Sequence, residues 1–158
     1  MRHSVTGIAT DMTATTDSRP YAKALERLKT VGLRPTRQRL ALAKLLFDGD
    51  DRHVSAEQLH AEAVAADMRV SLATVYNTLH QFTTVGLLRE VVVESGRAYF
   101  DTNTGNHHHF YHVDEGKLVD IDQSRLSVAT LPEPPEGTAV DRVDVIIRLR
   151  NGPSSAQN

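Results

Sequence analysis

The 158-residue chain contains no cysteine. That one absence excludes disulfides, thiolate zinc sites, iron–sulfur clusters and cysteine nucleophiles, so any bound metal must be held by nitrogen and oxygen. No apolar run approaches the roughly 20 residues that span a bilayer, and the first twenty residues lack the apolar stretch of a secretion signal. A cytoplasmic protein with no membrane partner is expected. Catalytic signatures are missing too: there is no HExxH helix, no nucleophile elbow and no phosphate loop. A metallohydrolase would need a general base beside a metal-bound water, and only Asp114 or Glu115 could be cast in that part. The chain is expected not to be an enzyme.

What is present is a segregated charge pattern on an ordinary globular composition. Hydrophobic residues make up 40% and charged residues 24%, enough for a core in one domain or two small modules. The formal net charge is only −2, but local fields decide association with polyanions. Arg19, Lys23, Arg27, Lys29, Arg34, Arg37, Arg39 and Lys44 face a single acid, Glu26, between residues 19 and 47. From Arg89 to Asp144 the balance reverses, with eleven acids against five basic residues. A basic front half suits anion binding and an acidic, His-bearing back half suits cation binding. A storage or scaffold protein would not need the first.

Periodicity divides the chain further. Residues 1–18 show no apolar spacing and read as a flexible arm. Leu25, Leu28 and Val31 mark a first helix stopped by Gly32. Thr36 caps a second, carrying Leu40, Ala43, Leu46 and Phe47. Ser55 with Gln58 has capping-box spacing and opens a third, with His53 at its start. Ser71 opens a fourth, through Val75, Leu79 and Phe82 to Gly86. The period then changes to two around the turn Glu94-Ser95-Gly96, a hairpin. Further strands are expected at 110–113, 117–121 and 140–149, with Pro132, Pro134 and Pro135 stiffening the connector. The fold class is α+β: an N-terminal winged helix-turn-helix domain over 19–102, a small α/β domain over 103–150, and a disordered tail over 151–158.

In a winged helix-turn-helix the helix before the hairpin enters the major groove. Here that helix offers hydroxyl and amide groups at Ser71, Thr74, Asn77, Thr78 and Gln81, which suit base edges and phosphates. Tyr76 lies on its polar side. Arg34, beside Pro35, is placed to reach a minor groove, with Arg37 close behind. His60 and His80 lack a partner at ligand spacing and read as surface or phosphate-side residues rather than ligands.

Three runs, Gly32-Leu-Arg-Pro-Thr-Arg-Gln-Arg39, His53-Val-Ser-Ala-Glu57 and Ser71-Leu-Ala-Thr-Val-Tyr76, resemble the Fur superfamily of metal-responsive regulators in order and spacing. The likeness spans residues 19 to 150. Within it Tyr76-Asn77, the triple His107-His108-His109 and the ending Val145-Ile-Ile-Arg-Leu-Arg150 look most like the Irr branch of iron response regulators. The resemblance implies a homodimer that reads a pseudo-palindromic double-stranded DNA operator and controls iron and haem metabolism genes, with residues 103–150 as the dimerisation and sensing module. A peroxide- or manganese/zinc-responsive repressor of the same superfamily is the alternative.

Histidine is the commonest metal ligand, and a His-x-His pair on a strand sends both imidazoles to one face. His107 and His109 should converge while His108 points away. Asp101, at the end of the wing, and Asp120, on the next strand, add carboxylate oxygens, and His53 closes the shell from the other module. This divides the ligands as one from the DNA-binding module and four from the other. Such a set suits Fe(II), Mn(II) or Zn(II). The resemblance assigns the regulatory metal site to the same five residues. The superfamily's cysteine-type structural zinc is excluded, since His112 and Glu115 stand where the Cys-x-x-Cys pair would be. A secondary metal site is undercut by Asp144 where a histidine is often found. In the Irr branch the histidine-rich segment also implies haem, for which His107, His108 and His109 are candidates and His112 a weaker one. Phe110 and Tyr111 would either pack against the porphyrin or belong to a strand core.

Overall fold

A computed structural model describes residues 19–153. The expected arm at 1–18 and most of the expected tail lie outside the described residues; positions 151–153 are exposed and have no regular structure. Four helices come first: α1 (Ala22–Thr30), α2 (Arg37–Phe47), α3 (Ala56–Ala65) and α4 (Leu72–Thr84). Their starts are set by side-chain caps that satisfy otherwise orphaned amides. The Thr36 hydroxyl accepts from Arg39 N–H, Ser71 from Thr74 N–H, and Ser55 and Gln58 form a reciprocal capping box. Gly32 and Gly86 end α1 and α4 at φ +73° and +82°, where Leu33 N–H donates back to Leu28 O and Leu87 N–H to Phe82 O. A side chain at either φ would cost about 1–2 kcal/mol.

The apolar stripes of α1–α4 close on one core. Leu28, Leu42, Leu59, Val75, Leu79 and Phe82 have no measurable exposure, and Val54 and Phe100 join them from strands. Burying each such side chain contributes about 1.5–3 kcal/mol. The strands are β1 (His53–Val54), β2 (Arg89–Glu94), β3 (Arg97–Asp101), β4 (His108–His112), β5 (Lys117–Ile121) and β6 (Ile146–Leu149). β2 and β3 form the hairpin, with β1 added antiparallel to β3. The second sheet has the order β5-β4-β6, with β4 antiparallel to β5 and parallel to β6. A 3₁₀ turn at Gln123–Arg125 follows β5.

Three expectations need correction. His53 does not begin α3 but sits in β1, paired with Asp101, because Ser55 takes the cap position. The strand expected at 110–113 starts earlier, at His108, because β5 and β6 both pair with this stretch. The strand expected at 140–149 is confined to Ile146–Leu149, since residues 140–142 are exposed beyond the proline connector and make no ladder.

The hairpin is more than a projecting wing. Its inner residues Val91, Val93 and Tyr99 form one buried cluster with Tyr111 and Leu118 of the second sheet. Polar contacts rim the cluster: Tyr99 Oη donates to Gly116 O at 2.7 Å, Arg97 Nη1 donates to Tyr111 Oη at 3.1 Å, and Arg148 donates to Val93 O.

Candidate metal centre and nucleic-acid face

Where the two sheets meet, two cross-strand pairs oppose each other. His53 faces Asp101 across β1 and β3, and His109 faces Asp120 across β4 and β5. His107, just before β4, completes the group. One ligand atom from each of these five residues lies within 4.8 Å of every other. All three histidines present Nε2. Their distances to Asp101 Oδ2 are 3.1, 2.7 and 3.0 Å for His53, His107 and His109, and to Asp120 Oδ1 2.8, 3.3 and 3.4 Å. The division between sheets is two and three, which corrects the expected one and four: Asp101 belongs to the β1-β3-β2 sheet beside His53.

The hydrogen bonding tests whether a cation fits. Gly105 O can only accept, so the His107 Nδ1 that lies 2.7 Å from it carries the proton. In a neutral ring, Nε2 then directs a lone pair at the Asp101 carboxylate. Lone pair against carboxylate is repulsive unless a proton or a cation lies between them. His53 Nε2 is buried without a hydrogen-bond partner although both carboxylates are near, so it too is an unused donor or ligand. Asp101 is fully buried, a costly place for a lone carboxylate. Burial favours its neutral acid, but the hydrogen bond from His109, the close approach and charge of His53 and the Asn103 N–H outweigh that and hold its carboxyl far below the usual range. Burial likewise works against a charged His53, and Asp101 and Asp120 outweigh it, raising its pKa. Three nitrogens and two oxygens around one point fit a divalent ion of the Fe, Mn or Zn type; zinc accepts such ligands at about 2.0–2.2 Å.

The other histidine-rich positions lie apart. His108 turns to the opposite face, where its Nδ1 accepts from Val145 N–H at 3.2 Å. In the neutral ring Nε2 then holds the proton and is not a ready ligand. Tyr111 is fully buried in the shared cluster and Phe110 is half-buried. His112 ends β4, half-buried. A cleft of about 790 Å³ between the α4 face and the hairpin tip is lined by Glu57, Tyr76, His80, Arg97 and Glu115 among others, and by none of His107, His108 and His109. Asp144 is engaged by Arg89 and Arg142. His60 Nε2 donates to Val70 O at 3.0 Å, and His80 stacks on Tyr76.

On the basic side, Arg34 and Arg37 are exposed at the entry to α2. Arg39 ties that entry to α4, donating to Gln81 Oε1 from Nη2 at 3.0 Å and to Arg34 O from Nη1 at 3.0 Å. Asn77 is exposed on α4. Ser71 and Thr74 are spent partly on each other, the Ser71 hydroxyl donating to Thr74 Oγ1 at 2.9 Å. Tyr76 Oη donates to Glu57 Oε1 at 2.6 Å, which pulls the Glu57 carboxyl below its ordinary pKa and pushes the Tyr76 hydroxyl up. Sequence reasoning passed over Glu57, Gln81's tie to Arg39, and Arg89. The last had a signal: period-two alternation puts Arg89 on the inward face with Val91 and Val93.

A family model described as the ferric uptake regulator family matches residues 30–135. The chain is 38% identical over 108 residues to the ferric uptake regulation protein of Cupriavidus metallidurans, covering 65% of this chain and 76% of that one. It is 33% identical over 100 residues to the protein of the same name from Escherichia coli K12, covering 63% and 68%. The structure of the ferric uptake regulator from Pseudomonas aeruginosa with manganese superposes with a TM-score of 0.62 at 25% identity, over 81% of this chain and 97% of that one.

Proposed function

Because this chain belongs to the ferric uptake regulator family of transcriptional regulators, which are not enzymes, we propose that it is a metal-responsive repressor whose sensor is the cluster His53, Asp101, His107, His109 and Asp120. The observation that carries this reading is the composition of that cluster: five nitrogen and oxygen ligands, two from the sheet that continues into the helices and three from the second sheet. A cation held there makes contacts in one relative placement of the sheets that it loses in others. Differential contact of this kind is what lets a ligand select a conformation.

In this reading residues 19–102 bind DNA and residues 103–150 form the dimerisation and sensing module of a cytoplasmic homodimer. Arg34, Arg37, Ser71, Thr74, Tyr76 and Asn77 face a pseudo-palindromic operator. Arg34 and Arg37 supply charge at the entry to α2, the amides at the α4 N-terminus suit a phosphate, and Tyr76 and Asn77 suit base edges. The ligand set suits Fe(II), Mn(II) or Zn(II) alike, and the metal supplies charge and a preferred geometry rather than chemistry. The finer assignment, an iron response regulator of the Irr type that also answers to haem through His107, His108 or His109, rests on the resemblance of the triple histidine and the chain's ending.

One titration tests all of this. Operator-type DNA binding is measured with Fe(II), Mn(II), Zn(II) and haem added separately to the wild type and to a His107→Ala, His109→Ala double variant. Gain of DNA affinity with a divalent ion, lost in the double variant, is the expected result. Loss of binding at stoichiometric haem with a histidine-type Soret band supports the Irr reading. A double variant that responds fully to metal removes the cluster as the sensor.

A further inference from the structure

Arg89 is 5% exposed and lies at the start of β2, directly across the ladder from Asp101. A guanidinium keeps its charge at any working pH, so burying it is costly unless its donors are used. Three contacts use them. Nη1 donates to Gly105 O at 3.1 Å and to His107 O at 3.3 Å, and Nη2 pairs with the Asp144 carboxylate. Nε has no partner. These contacts surround one ring. Gly105 O is also the acceptor that fixes the His107 tautomer, so Arg89 holds both the backbone of His107 and the group that aims its Nε2. Asp144 adjoins Val145, whose carbonyl accepts from His109 N–H and whose N–H donates to His108. The same guanidinium therefore links the first sheet to the approach of β6 along the histidine strand.

We infer that Arg89 is a positioning residue for the candidate metal centre: through Gly105, His107 and Asp144 it aims the His107 imidazole and ties the metal-bearing turn to β6. The inference rests on the metal-sensor reading above. Lysine cannot replace it, because a single ammonium cannot span two carbonyls and a carboxylate in the fork geometry of a guanidinium. Groups that orient metal ligands in this way change metal affinity by about 10–100-fold when removed.

The test uses the full-length protein with Co(II) as a spectroscopic probe and Zn(II) in competition with a chelating dye, on the wild type, Arg89→Gln, Arg89→Lys and Asp144→Asn. Apo-protein melting is followed by circular dichroism in parallel. Arg89→Gln should weaken Co(II) and Zn(II) binding by about 10–100-fold and shift the Co(II) d–d bands as His107 loses its orientation. Arg89→Lys should fall in the same range, and Asp144→Asn should lose less. If Arg89→Gln proves unfolded, the lysine and asparagine variants carry the test alone. Lower apo melting with wild-type affinity and an unchanged Co(II) spectrum in the folded variants would overturn the inference and leave Arg89 a structural residue. A wild-type protein that takes up neither ion would instead remove the metal-sensor reading itself.

Discussion

The helical half and the second sheet are built on different principles. The four helices and the strands that pack on them bury sixteen residues in one cluster, and their limits are set by neighbouring residues: a hydroxyl three positions ahead, a glycine just behind. The second sheet has no comparable core among the described residues. Two of its buried side chains, Tyr111 and Leu118, pack against Val91, Val93 and Tyr99 of the hairpin, and its pairing of β4 with β6 spans the long exposed connector between them. One half stands on local signals. The other leans on its neighbour, and the candidate metal centre lies at the line where it leans.

That contrast can be broken by mutation. The largest effect is expected for Phe82→Ala, which empties the helical core and should cost about 3–5 kcal/mol in denaturant unfolding, taking the whole molecule with it. Leu118→Ala should cost about 2–3 kcal/mol, but selectively: hydrogen exchange should rise in β4, β5 and β6 while the amides of α2 and α4 stay protected. Equal loss of protection in both halves would show that they unfold as one unit. Ser55→Ala removes one side of the capping box and should cost about 1 kcal/mol, with metal affinity reporting whether fraying at α3 reaches His53. The smallest effect is expected for Glu57→Gln. It removes an exposed carboxylate bonded to Tyr76 and should change DNA affinity by no more than about fivefold, in favour of binding, with no change in melting. Weaker DNA binding in that variant would mean that the Glu57 bond sets the Tyr76 rotamer needed on the operator.

The same division governs what could be read from the sequence. Helix starts at Thr36, Ser55 and Ser71, and stops at Gly32 and Gly86, were legible because each signal lies within four residues of the amide or carbonyl it satisfies. The five clustering side chains were legible by residue type and spacing together with the family resemblance. Their arrangement was not. β1 is only two residues long, and its partner Asp101 is remote in sequence, so neither periodicity nor propensity marks it as a strand. With β1 unseen, His53 passed for a helix start, and Asp101, although placed at the end of the wing, was counted with the second module. Arg89 was missed for a related reason: alternation marks it as inward-facing but not what it meets, since two of its partners are the carbonyls of Gly105 and His107 and a backbone acceptor has no signature in the residue sequence.

The brevity of β1 has a consequence for how the chain can change in length. Doubling the exposed connector before β6 would add only about 0.6 kcal/mol of closure entropy, so insertions and deletions there should be tolerated. Between His53 and Ser55 there is a single residue, Val54, and it is fully buried in the helical core. Side chains alternate along a strand, so one added residue would either send His53 to the opposite face or move the hydroxyl that starts α3. A library of random single-residue insertions should therefore show a sharp dead zone at this point, flanked by permissive sequence at Asp48–Asp51.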